Sequence, residues 1–267
     1  MHPYEQNIQE ALRNIEAEED VRILYACESG SRAWGFPSQN SDYDVRFIYV
    51  RPVDWYLSID DRRDVIERPI NDLLDINGWD LRKALRLFRK SNPPLLEWLQ
   101  SPIPYMEQTS AAERIRRMSP LAFSPKSCMY HYLNMARGNF RMYLQGEEVR
   151  LKKYFYVLRP ILACGWIEEK GTMPPIAFEA LFESQIPAGS DLHAIIGDLL
   201  ARKKAGDELD LGPRIAELNT YLEARIAHFE RSAVQIPAAE NGQADRLGAL
   251  FRETLKEAWG LEGAVFQ

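Results

Sequence analysis

Two periodicities divide this 267-residue chain into an α+β unit over residues 1–118 and an all-helical region over 119–267. In the first part, runs of β-branched and aromatic residues at 21–27, 44–50, 64–67 and 73–76 alternate with segments of helical spacing. That is the pattern of a short mixed sheet backed by helices. From Ser119 onward no strand-like run recurs, and apolar residues return every three or four positions.

The elements follow in order. Ile8, Leu12 and Ile15 mark a leading helix over 4–19. Val21-Arg-Ile-Leu-Tyr-Ala-Cys27 reads as a buried strand, and Asp44-Val-Arg-Phe-Ile-Tyr-Val50 as a second strand that ends at Arg51-Pro52. Residues 55–60 form a short surface element, and strands follow at 64–67 and 73–76. A helix over Trp79–Lys90, capped by Asn77, stops before Ser91-Asn-Pro-Pro94, because proline disfavours helical geometry in the residue before it. Another helix starts at Leu95 and ends at Ser101-Pro102. In the second part Met129, Leu133, Ala136, Phe140 and Leu144 define a helix over 126–144. Residues 147–170 continue helical, kinked or restarted at Pro160. After Pro174-Pro175, helices over 191–204, 213–231 and 244–259 complete the chain, with 236–243 a linker loop.

Composition excludes several classes. A hydrophobic share of 46% and a charged share of 27% are ordinary for a folded domain. No apolar run approaches the roughly 18 residues that suggest a membrane span. The first residues lack the basic and apolar regions of a secretory signal. Cys27, Cys128 and Cys164 are odd in number and far apart, so they read as buried thiols in a reducing cytoplasm. His2, His131, His193 and His228 have no zinc-ligand spacing. A net charge of −6 argues against a broad nucleic-acid coat. Basic residues do cluster locally, in Arg82, Lys83, Arg86, Arg89 and Lys90, in Arg114, Arg116 and Arg117, and in Arg150, Lys152 and Lys153. The plain reading of each cluster is a solvated helix face.

The chemistry-bearing stretch joins the first two strands: Gly30-Ser31-Arg32-Ala-Trp-Gly-Phe, then Ser41-Asp42-Tyr43-Asp44. Residues i and i+2 of a strand share a face, which sets Asp42 and Asp44 about 6–7 Å apart. Two like charges so close need a cation, and magnesium, with its taste for carboxylate oxygen, water and phosphate, is the natural one. Gly30 lets backbone approach an anion, and Ser31 offers an amide and a hydroxyl. Arg32 adds positive charge, and a helical turn at 32–35 would add amides. An isolated Asp-x-Asp is usually a solvated turn; the ordered combination is far more specific.

That combination resembles the nucleotidyltransferases of the DNA polymerase beta superfamily. The wider text resembles those associated with bacterial and phage RNA repair, as do Asn77-Gly-Trp-Asp-Leu-Arg-Lys83, Asn92-Pro-Pro-Leu-Leu-Glu-Trp98 and Lys153-Tyr-Phe-Tyr-Val-Leu-Arg-Pro160. The resemblance covers about residues 20–170. It implies a polymerase-beta-like mixed sheet, an NTP substrate (ATP foremost), two Mg2+ ions with Mn2+ as an alternative, and a third carboxylate. Asp64, Glu67, Asp72, Asp75 and Asp80 are the candidates. Asp75, flanked by Leu74 and Ile76, suits a strand with one face at the site and is preferred as metal ligand and as general base or neighbour of the attacking hydroxyl. Asp80 is its rival, with a competing role in the first turn of a helix.

The helical region supplies further candidates. Lys152, Tyr156 and Arg159 fall at i, i+4 and i+7 on one stripe, with Lys153 beside it. The cations suit triphosphate oxygens and Tyr156 a base; the alternative places the tyrosines in the core and the cations in water. Phe155 and Leu158 read as core, Trp34, Trp79 and Trp98 as packing residues, and His131 and Arg137 as weaker cleft candidates. The expected reaction is transfer of NMP to an acceptor hydroxyl with release of pyrophosphate, the resemblance pointing to an RNA end. The rivals are nucleotidylation of a protein or small molecule, and a nucleotide-binding module without catalysis. Oligomeric state is left open.

Overall fold

The computed structural model describes residues 3–38, 41–70, 73–237 and 244–261. Asp72, His2, Gln39, Asn40 and residues 238–243 of the expected linker lie outside them. The first unit begins with helix α1 (Pro3–Glu19), whose Ile8, Leu12 and Ile15 are buried. Strand β1 (Arg22–Glu28), the single turn α2 (Gly30–Ala33) and strand β2 (Tyr43–Val50) follow. Then come α3 (Val53–Tyr56), β3 (Val65–Glu67), β4 (Leu74–Asp80), α4 (Leu81–Phe88), α5 (Pro93–Leu99), β5 (Pro104–Glu107) and α6 (Ala111–Ala122).

The five strands form one mixed sheet in the order β3-β4-β2-β1-β5. β2 runs parallel to β4 and antiparallel to β1, and its register sets Asp44 beside Asp75. Alternation along β2 sends Val45, Phe47 and Tyr49 to the face that packs α1, while Ile48 and Val50 join the opposite core with α4, α5 and α6. Phe47 needs Gly78 beside it on β4: a Cβ there would lie 2.2 Å from the ring.

The helical body contains α7 (Pro125–Tyr143), α8 (Lys153–Lys170), α9 (Phe178–Gln185), α10 (Asp191–Lys204) and α11 (Ala216–Gln235). Ser124 caps α7 by accepting from Ser127 N at 3.3 Å, with Pro125 at the first position. α8 runs unbroken through Pro160, because its buried residues from Tyr154 to Ile167 hold it in the core despite the missing amide donor. Phe36, from the loop after α2, belongs to this helical core, against Phe155 and Phe178.

Three expectations change. The second half is not wholly helical: β6 (Glu148–Arg150) pairs antiparallel with β7 (Leu211–Pro213), so the flanking helices start at Lys153 and Ala216 rather than 147 and 213. β4 extends to Asp80, so Asn77 is a strand residue whose amide donates to Glu67, and Asp80 itself caps α4, accepting from Arg82 N at 2.8 Å. The strand β5 and helices α6 and α9 also carried no strong sequence signal. Residues 118 and 119 fall inside α6, and the last helix, α12 (Ala244–Trp259), leaves the helical body and packs on α4, α6 and β1. Its Glu257 accepts from Ser110 N and Oγ at 2.7 Å each, satisfying the start of α6.

Candidate active site

The site lies where β2 leaves the α2 turn. Gly30 has φ +59°, the left-handed region that favours glycine, and a Cβ on it would lie 2.0 Å from Asp44 Oδ2. Both constraints point the same way: only a glycine lets the turn close over the Asp44 carboxylate. Ser29 N donates to Asp44 O at 2.8 Å, tying the turn to the strand. The first amides of a helical turn have no partner within it, which leaves those of Gly30 and Ser31 without an intrahelical acceptor.

A cavity of about 120 Å³ opens here, lined by Ser31, Trp34, Ser38, Asp42, Asp44, Lys152, Tyr156 and Lys203 among others. Asp42, Asp44 and the hydroxyls come from the first unit, and two lysines, a tyrosine and a further acid, Glu208, from the helical body. Burial holds the Asp44 carboxyl above its ordinary range; Arg46 opposes that shift, while Asp75 and Asp42 reinforce it. Burial, with Asp44 and Asp42 nearby, likewise raises the Tyr156 hydroxyl. Behind Asp44, the buried Glu28 carboxylate accepts from Asp44 N at 2.7 Å and from the Tyr105 hydroxyl, and burial raises it too.

Asp75 stands beside Asp44 on β4, and Arg46 joins them, its Nη2 lying 3.0 Å from Asp44 Oδ1 and 2.7 Å from Asp75 Oδ2. Asp75 does not line the cavity. Among the described residues no three His, Cys, Asp or Glu side chains converge as a ready-made metal cluster. Asp42 and Asp44, both on the cavity wall, are hard oxygen donors of the kind that magnesium takes in pairs, and this edge fits the ion.

Comparison with known proteins gives the family. A family model described as the RNA repair pathway DNA polymerase beta family matches residues 4–253. The chain belongs to this family. It is also 53% identical over 254 residues to the uncharacterized protein YcgL of Bacillus subtilis (strain 168), covering 95% of this chain and 97% of that one. A nucleotidyltransferase-like protein from Exiguobacterium sibiricum 255-15 aligns in structure over 94% of this chain and 80% of that chain, at 12% identity and a TM-score of 0.33.

In this member of the polymerase beta family the remaining expected residues separate into two groups. Lys152 and Tyr156 reach the cavity. Lys153 lies at its rim, its Nζ 4.3 Å from the Tyr143 ring centre and 4.6 Å from that of Tyr156. Arg159, expected on the same stripe, turns inward: it is 2% exposed, donates to Glu97 at 2.7 Å and stacks on Trp34. It is therefore no triphosphate ligand. The stripe fails there because Glu97 of α5 and the Trp34 ring draw the side chain away from the cleft. Arg32 is also occupied, donating to the carbonyls of Ser41 at 2.7 Å and Asp42 at 3.2 Å and lying over Tyr43. It braces the loop that carries Asp42.

Asp80 is wholly buried, between Arg82 N and the Tyr56 hydroxyl at 2.6 Å, and away from the cavity. Asp64 pairs with Lys83, and Glu67 with Arg63. Trp79 and Trp98 stack with centres 3.9 Å apart, while Phe155 and Leu158 are core. His131 and Arg137 do not line the cavity; Arg137 meets Glu230. Two residues were not singled out in the sequence. Lys203, 8% exposed, sends Nζ to Ser38 Oγ at 3.1 Å, yet in sequence it is one of three basic residues ending a helix. Arg46 reads as an ordinary strand residue. Its position two residues past Asp44 was the available clue.

Proposed function

We propose that this chain is a Mg2+-dependent nucleotidyltransferase that moves NMP from an NTP, ATP foremost, to an acceptor hydroxyl with release of pyrophosphate, the acceptor being an RNA end. The observation that carries the reading is the convergence of Asp42 and Asp44 with Ser31, Lys152 and Lys203 on one cavity, with Asp75 next to Asp44 on the neighbouring strand. The family's description, with its RNA repair pathway, supports the RNA acceptor.

Ser31 and the first amides of its turn hold phosphate oxygens, and Lys152 and Lys203 neutralise them from the opposite wall. Trp34 and Tyr156, whose rings meet at 6.0 Å, shape the side toward the base, with Lys153 at the rim. The acceptor oxygen bonds to the α-phosphorus as the bond to the bridging oxygen breaks; the hydroxyl proton passes to a carboxylate of the cavity wall, with Asp75 standing behind Asp44 rather than at the acceptor. Asp42 and Asp44 would hold Mg2+, which would supply Lewis-acid stabilisation of the charge on the phosphates. Positioning and charge complementarity account for most of the rate. The chain works in the cytoplasm, in keeping with its three free, buried thiols, and no helix among the described residues is long and apolar enough to cross a membrane.

The test is pyrophosphate release from each of the four NTPs with Mg2+, with and without total RNA, for wild type and Asp44→Ala. Release that needs Mg2+ and falls more than about 100-fold in Asp44→Ala, beyond the usual effect of a residue behind a ligand, is expected. With α-labelled ATP the label should enter RNA. Label in protein or a small molecule would reassign the acceptor, and silence with all of these acceptors would overturn the reading.

A further inference from the structure

Arg46 lies two residues after Asp44 on β2 and so on the same sheet face. Its guanidinium is held at four points. Nη2 donates to Asp44 Oδ1 at 3.0 Å and Asp75 Oδ2 at 2.7 Å, and Nη1 donates to the carbonyls of Val45 at 3.1 Å and Asp75 at 3.0 Å. The side chain is 17% exposed. Its charge is permanent and its fork is planar, so it fits two carboxylates at once without depending on pH or on the supply of an ion.

Asp44 is therefore used on two sides. Oδ1 faces Arg46, and Oδ2 lies against Gly30. The edge between Asp44 and Asp42 opens on the cavity; the edge between Asp44 and Asp75 is filled by the guanidinium, and Asp75 is absent from the cavity wall. A dication between Asp44 and Asp75 would meet a fixed like charge, or would have to expel it from two carboxylates and two carbonyls.

We propose that Arg46 takes the place of a second divalent ion: the protein holds one Mg2+, between Asp42 and Asp44, while Arg46 permanently neutralises the Asp44–Asp75 pair. Arg46 is a positioning residue, setting the Asp75 carboxylate in register with Asp44 whether or not metal is bound. The inference rests on the nucleotidyl-transfer reading for the purpose of the site, but the ion count can be measured apart from it.

The experiment is Mn2+ binding to the full chain without nucleotide, by electron paramagnetic resonance and calorimetry, for wild type, Asp42→Asn, Asp75→Asn and Arg46→Gln, with a thermal melt of each. One Mn2+ per wild-type chain is expected, with affinity at least about 10-fold weaker in Asp42→Asn, the scale of losing a metal-site partner. Asp75→Asn should keep wild-type affinity, and Arg46→Gln should gain a second ion. Two ions on the wild type, a 10-fold or greater loss in Asp75→Asn, or a folded Arg46→Gln that still takes one ion would each overturn the proposal. If Arg46→Gln does not fold, Asp75→Asn and the wild-type count decide. A chain that takes one ion yet releases no pyrophosphate would sink the nucleotidyl-transfer reading and leave the ion count standing.

Discussion

Arg46 and Arg159 each hold carboxylate, one at the open end of a sheet and the other sealed between two bodies. Arg159 and Glu97 are 2% and 9% exposed, and the Tyr132 hydroxyl donates to the same Glu97 oxygen at 2.7 Å. This pair links α8 to α5 and seats Trp34 by stacking. Arg46, Asp44 and Asp75 are 17%, 29% and 32% exposed. The same chemistry thus does two tasks, and burial separates them. In the sealed pair neither charge can be left alone, so the contact fixes how the units dock. At the sheet end, solvent lowers the cost of charge, so Asp44 can face Arg46 on one side and the open cavity on the other.

The largest effect should come from breaking the sealed pair. Arg159→Met leaves Glu97 charged in the core and should remove about 3–5 kcal/mol of stability, read by urea unfolding. Arg159→Met with Glu97→Leu should recover part of it, since an apolar pair avoids the uncompensated charge. Equal loss in single and double variants would mean that the contact matters only as packing.

Next is Gly30→Ala, which tests the open assembly by crowding Asp44 from the other side. The left-handed backbone costs about 1–2 kcal/mol for a side chain, so the melt should move modestly. Pyrophosphate release should fall more than about 10-fold, because Asp44 Oδ2 must shift. A variant that keeps wild-type turnover would show that the close approach is incidental.

The smallest effect is a pH dependence. Burial raises the Asp44 carboxyl in the ion-free site, so protons compete with Mg2+ there, and release at limiting Mg2+ should begin to fall on the acid side above the ordinary carboxylate range of about 4. The sign for stability is opposite. A carboxyl whose folded value lies above its unfolded value favours folding when protonated; that contribution is full below the unfolded value and is lost as pH rises through the folded one. Across the acid limb turnover should therefore drop without Asp44 itself weakening the fold. A pH–rate profile beside melts at the same pH values checks this, and parallel loss of both would assign the limb to unfolding.

Much of this was legible locally. The alternation in Asp44–Val50 gave β2 and its two faces, the Asp191–Lys204 and Ala244–Trp259 periodicities gave α10 and α12 with their bounds, and Gly30-Ser31 with Asp42 and Asp44 marked the cavity. What was hidden depends on contacts distant in sequence. Lys203 meets Ser38 from 165 positions away. Arg159 shares a helix face with Tyr156 in projection, but Glu97 of α5 and the Trp34 ring draw it inward. The β6–β7 ribbon joins two three-residue segments too short to show alternation. None of these has a local signature, because each is decided by what packs opposite.

The docking of α12 bears on when the chain can finish folding. Leu247, Leu250 and Leu255 complete the core beneath β1, α4 and α6, and Trp259 Nε1 donates to Arg51 O at 3.0 Å. Units at the start of a chain usually fold first during synthesis. Here the sheet that carries Asp44 cannot close its second core until residue 259 has left the ribosome. Translation of the whole helical body thus precedes completion of the first unit, whose uncovered leucine-rich face is until then a surface for chaperones to guard.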